Sequence, residues 1–97
     1  MPNLKIVIEG AYRWIDAAAI DAANSKTALD LQGVPATAHV TINSGQFARL
    51  VIHASADPGT RITADILRGE KSVCLKRYYN VGENGHLDRV ITFDPDA

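Results

Sequence analysis

Few of the residues that usually announce a function are present in this chain. Cys74 is the one cysteine among 97 residues, so no internal disulfide and no cysteine-built zinc site can form. A lone thiol fits a reducing compartment. Neither sign of charge dominates: ten Lys and Arg stand against eleven Asp and Glu, a net charge of -1. Nucleic-acid-binding modules draw much of their affinity from phosphate neutralisation and usually carry a basic excess; this balance argues against nucleic acid as the main partner. No apolar run approaches the length of a membrane-spanning helix. The start, Met1-Pro2-Asn3-Leu4-Lys5, lacks the basic region and apolar core of a signal peptide. A cytoplasmic location with no membrane partner is the expectation. Internal repeats, low-complexity tracts and linkers are missing too, so residues 1–97 are read as a single domain.

What is present is ordinary for a globular protein, with 46% hydrophobic and 22% charged residues. A chain of this length buries about two-thirds of its unfolded surface, enough for one core. Leu4, Ile6 and Ile8 alternate with Lys5, Val7 and Glu9, the period of a half-buried strand, and Gly10 ends it. Ala11 to Ala23 is alanine-rich, and its polar residues Arg13, Asp16, Asp21 and Asn24 fall in one sector of a helical wheel. That pattern predicts an amphipathic helix ending at Asn24-Ser25. Thr27, Leu29 and Leu31 fit either a short strand or a loop tucked inward.

From Ala36 onward the chain reads as strands. Segments 36–42 and 46–55 flank Asn43-Ser44-Gly45. Read as a hairpin, they need an odd loop to keep Ala38, Val40, Ile42, Ala48, Leu50 and Ile52 on one face. Asp57-Pro58-Gly59 is a turn signal. A two-residue turn at Gly69-Glu70 joins 60–68 to 71–79 and gathers Ile62, Ala64, Ile66, Val73 and Leu75. The last strand, 87–93, stops at Asp94-Pro95.

The expected fold is therefore α+β: an antiparallel β-meander of five to six strands with one N-terminal amphipathic helix packed on one face. Such a sheet is roughly 24–29 Å wide, and one helix is about 10 Å across, so the helix cannot cover it. Phe47, Val51, Leu67, Cys74 and Tyr78 fall opposite the main apolar set. Either the sheet curls into a partial barrel, or a second copy covers it, and a homo-oligomer is expected with Phe47, Val51, Leu67 and Tyr78 at the interface.

Residues that could carry chemistry are sparse. In the hairpin reading, Thr37, His39, Thr41, Arg49 and His53 share one polar face and could bind an anion, or serve as a base beside an anion clamp. The bland reading is a solvated sheet face. His53, Ser55 and Asp57 alternate along one strand, roughly 6.5 Å apart, too far for a triad. Cys74 is expected to be partly buried and unreactive. The three histidines have no chelating spacing, so no metal and no cofactor are expected. Arg68, Lys76 and Arg77 with Tyr78 and Tyr79 could contact single-stranded nucleic acid, although alternation splits them between faces. The leading expectation is a non-enzymatic binding module, a homo-oligomer or a partner of another protein. An anion-binding protein or small enzyme using His39, Arg49 and His53, and a weak single-stranded nucleic-acid binder, are the alternatives.

Overall fold

A computed structural model describes residues 3–42 and 47–97. The described chain contains nine strands and no helix: β1 (Asn3–Glu9), β2 (Tyr12–Ile20), β3 (Lys26–Ala28), β4 (Ala36–Thr41), β5 (Ala48–Ala56), β6 (Arg61–Arg68), β7 (Lys71–Ser72), β8 (Arg77–Asn80) and β9 (His86–Phe93). They form two antiparallel sheets. Sheet I has the order β4-β1-β6, with β7 and β8 both on the far edge of β6; sheet II has the order β3-β2-β5-β9. The fold is all-β.

The expected helix at Ala11–Ala23 does not form. Its residues make β2, the bulge-start of sheet II, and then a turn in which the Asp21 carboxylate accepts from the backbone N–H groups of Ala23 and Ser25. Alanine's helical preference is a fraction of a kcal/mol per residue. Here it competes with backbone ladders on two sides, because β2 lies between β3 and β5. Once the irregularity between Tyr12 and Trp14 is passed, the strand period is plain. Ile15, Ala17 and Ala19 join the core, while Trp14 and Asp16 stay exposed.

The meander is corrected as well. Strands β4 and β5 do not pair: β4 pairs with β1 in sheet I, and β5 lies between β2 and β9 in sheet II. The expected loop at Asn43-Ser44-Gly45 lies outside the described residues. Nor do β5 and β6 pair; the chain crosses between sheets at Asp57-Pro58-Gly59 and again between β8 and β9. Within this frame several local features hold. Lys26–Ala28 is a strand and Leu29 is buried. The Gly69-Glu70 turn brings Arg68 opposite Lys71, with Gly69 at φ 63°.

The expected continuous strand 71–79 is broken. Leu67 pairs with Ser72 and Ala64 with Arg77, so two extra residues are looped out between β7 and β8. Val73 stays buried, but Leu75, expected in the core, is expelled to 84% exposure. Because the insertion is even, the face alternation survives it, and Tyr79 still packs against the core.

The inner faces of both sheets contribute to one cluster. Leu4, Ile6, Ile8, Ile62 and Ile66 come from sheet I, and Leu50, Ile52, Leu87, Ile91 and Phe93 from sheet II. Each sheet covers the inner face of the other, the role expected of a curled sheet or a second copy. At one open side Arg89, at an inward-facing position of the edge strand β9, lies over the Tyr79 ring at 5.4 Å. A charge aimed inward on an edge strand discourages further strand pairing. At the end of the chain, Arg68 donates to the carbonyls of Pro95 and Ala97 at 3.2 and 3.0 Å, which docks the tail on β6.

Gly10 makes the corner from β1 to β2. Its φ is +153°, and a Cβ there would meet the Arg61 carbonyl oxygen at 2.9 Å and Ile62 Cγ1 at 3.0 Å. Gly10→Ala is therefore expected to destabilise the fold by about 1–3 kcal/mol, read as a lower denaturant midpoint. Gly59→Ala, with open space around its Cβ but positive φ, should cost less, about 1 kcal/mol. Equal midpoints for the two variants would contradict the close packing at this corner.

Candidate functional site: the outer face of sheet II

The register of sheet II decides which outward side chains are neighbours. Ile20 lies beside Lys26 and Arg49, and Arg49 beside Thr92. One row along, Ala18 lies beside Ala28 and Val51, and Val51 beside Val90. The next row is Asp16, His53 and Asp88, and the next Trp14, Ser55 and His86. Phe47, directly before β5, continues the alternation of Arg49 and Val51 at the opposite end. Trp14, Phe47 and Val90 are 55%, 68% and 58% exposed. Val51 and Ile20 are half-buried.

The polar groups on this face are ordered by cross-strand contacts. His53 Nδ1 lies 2.5 Å from Asp88 Oδ1, with Asp16 on its other flank. Arg49 donates to Asn24 Oδ1 at 2.7 Å. Beyond the face, Arg13 pairs with Asp57 across the corner of the sheet. Exposed pairs of this kind contribute little to stability, about 0–1 kcal/mol; their effect is to fix side-chain direction.

The residues proposed to bind an anion are divided between the two sides of the molecule. Thr37, His39 and Thr41 lie on β4, with Ala36, Ala38 and Val40 turned into the core. Arg49 and His53 lie on β5, with Ala48, Leu50 and Ile52 turned into the same core from the other sheet. His39 therefore neighbours Lys5, not Arg49. The interface residues divide likewise: Phe47 and Val51 belong with sheet II, whereas Leu67 and Tyr78 are on the edge region of sheet I, where Arg61 lies 5.7 Å from the Tyr78 ring.

Sequence reasoning missed Trp14, Asp16, His86 and Asp88 as neighbours of His53. A signal was there in the alternation of Trp14, Asp16 and Ala18 against Ile15, Ala17 and Ala19, but the alanines pointed to a helix instead.

Other chemical candidates are weaker. A carboxylate-oriented imidazole is one element of a catalytic site, but His53 stands on an open face with Ser55 a strand period away. Among the described residues, no group of three or more His, Cys, Asp or Glu is placed to hold a metal ion. A groove of about 300 Å³ opens elsewhere, between the Gly10 corner and Val34-Pro35. Its walls, including Ile8, Tyr12 and Ala36, are mainly apolar, and its one charged side chain, Glu9, lies 3.9 Å from Lys76. The basic stretch is also engaged: Arg68 holds the tail and Lys76 faces Glu9. No helix in the described residues is long and apolar enough to cross a membrane. No family model, curated protein or solved structure matches the chain.

Cys74 lies in the loop between β7 and β8, half-buried. Burial pushes its thiol above the ordinary value; the Arg77 guanidinium opposes that rise, and the Asp65 carboxylate adds to it. A raised pKa leaves less thiolate, the reactive form, at neutral pH. Alkylation of Cys74 is expected to be slower than that of an unfolded cysteine at the same pH, to accelerate in Asp65→Asn and to slow further in Arg77→Gln. Rates unchanged in both variants would contradict the electrostatic assignment.

Proposed function

We propose that this protein is a non-enzymatic interaction module whose working surface is the outer face of sheet II. The observation that supports it is an apolar central row, in which exposed Val90 stands beside half-buried Val51, with exposed Trp14 and Phe47 two rows away on either side beyond the charged rows. An apolar centre within a charged surround is the anatomy of a protein contact surface. The outer face of sheet I is more polar. Lys5, Glu9, Thr37, His39, Thr41 and Asp65 stand there around Val7, Leu67 and Tyr78, a mixture usual on a solvated sheet face.

The same face has the anatomy of a contact region rather than of a reaction centre. Aromatic and aliphatic groups occupy a broad, open surface, and charges are held at set positions by cross-strand neighbours. Interfaces draw most of their energy from a few such anchors, with Trp and Arg over-represented among them. Trp14 and Arg49 are the anchors of this face.

A photo-crosslinking residue placed at Val90, in cells expressing the chain, is expected to form a discrete protein adduct. The same residue at Thr63, on the outer face of sheet I, should form none. Val51→Lys should abolish the Val90 adduct while changing stability by no more than about 1 kcal/mol, since the side chain is half-exposed. Equal crosslinking from both faces, or none from Val90, would overturn the reading.

A further inference from the structure

We propose that the partner of this face is a second copy of the chain, docked face to face about a two-fold axis running across the strands at the level of Val51. The inference rests on the reading of this face as an interaction surface and assigns its occupant. Its basis is that the rows on either side of Val51 are complementary to one another.

A two-fold contact presents the same patch from both partners, so each residue meets one on the other side of the axis. The axis row contains Ala28, Ala18, Val51 and Val90. It is wholly apolar, and two copies of it would meet at the centre, where water is most completely excluded. The row on one side contains the cations Lys26 and Arg49; the row on the other contains Asp16 and Asp88 flanking His53. Adjacent like-facing rows along a strand are about 7 Å apart, so both lie at the same distance from the axis. The symmetry operation keeps each strand over its own copy, so it sets Arg49 of one copy over His53 of the other, with Asp16 and Asp88 one strand spacing to either side, and Lys26 one strand spacing from Asp16. One row further out, it sets Phe47 over Ser55, with Trp14 and His86 one strand spacing to either side. The apolar row meets itself, and the row with the two cations meets the row with the two carboxylates, from a single operation.

The groups concerned are ready for such contacts. Neither Lys26 nor Arg49 has a carboxylate partner among the described residues. The bond from Arg49 to Asn24 holds the side chain in place and leaves other guanidinium donors for a carboxylate. The size is suitable too. Four strands at about 4.8 Å spacing, with the longer ones near 30 Å in length, give a face of roughly 500 Å² in plan, and more as corrugated accessible surface. That is commensurate with the about 800 Å² per partner of a standard interface. A docked partner of unrelated sequence would not require the acidic and basic rows to be equidistant from an apolar one.

The test is a charge exchange followed by sedimentation equilibrium at micromolar protein. The wild-type chain, 10.5 kDa, is expected to sediment at twice that mass. The variant Lys26→Glu with Arg49→Glu sets acid against acid in its own pair. The variant Asp16→Lys with Asp88→Lys sets base against base. Each alone should associate at least tenfold more weakly than wild type, and an equimolar mixture should recover a dimer, because both of its charge contacts are attractive. Circular dichroism of each variant checks its folding. Should either fail to fold, dilution of the wild type is the second measurement: emission from Trp14, the sole tryptophan, should shift to the red as the dimer separates. A monomeric wild type, undiminished association of both variants, a mixture of folded variants that stays monomeric, or an emission maximum independent of dilution would each overturn the proposal. A monomeric wild type whose Val90 still crosslinks to a different protein would remove the second copy as occupant while leaving the interaction surface standing.

Discussion

The structure depends on two sheets burying their inner faces against each other in a single dry layer. Each sheet depends on the other, since the fully buried aliphatic side chains of both lie in this shared layer. Both sheets mix bulky and small side chains in it. Sheet I supplies Leu4, Ile6, Ile8, Ile62 and Ile66 with Ala38 and Ala64, and sheet II supplies Leu50, Ile52, Leu87, Ile91 and Phe93 with Ala17, Ala19, Ala48, Ala54 and Ala56. A mixture of large and small side chains lets two layers interdigitate at native density. Truncating a side chain at the centre of such a layer costs about 2–5 kcal/mol, a large share of the stability of a domain of this size.

From that constraint follows the division of the surface. Because both inner faces are consumed by the core, only the outer faces are left to do anything, and strand alternation assigns each residue to one of them. Sheet I presents hydroxyls and charges around Val7, Leu67 and Tyr78. Sheet II presents Trp14, Phe47, Val51 and Val90, interrupted by an acidic row and a basic row. The edge strand β9 is guarded by the inward Arg89, so association is directed away from the edge and toward the face.

The sequence was most legible where local pattern and global role agree. The alternation of Leu4, Ile6 and Ile8 specifies β1 and its buried side, and Gly69-Glu70 specifies a two-residue turn. It misled where a local preference is overruled by packing. Ala17, Ala18 and Ala19 favour a helix in isolation, yet the sandwich needs small residues in an extended strand between two neighbours. The pairing of β4 with β5 failed for a different reason. The requirement that Ala38, Val40, Leu50 and Ile52 point to a common interior is met equally by two strands in one sheet and by two strands in opposed sheets, so facing alone cannot choose a partner. That ambiguity separated His39 from Arg49 and His53. It also hid the row of Asp16, His53 and Asp88, whose members come from strands far apart in the chain. The expected gap in coverage fell with the helix on which it rested: the chain covers its inner faces with two sheets against each other, neither by curling one sheet into a partial barrel nor by a second copy.

The account's central claim, that β4 and β5 lie in opposed sheets, is most directly tested by a distance measurement between spin labels at positions 39 and 49, with Cys74 replaced by serine. Sheets pack about 10 Å apart, and labels on their outer faces stand further out. A separation on the order of 20 Å or more is therefore the predicted result. A separation under about 10 Å, the spacing of cross-strand neighbours in a hairpin, would contradict it.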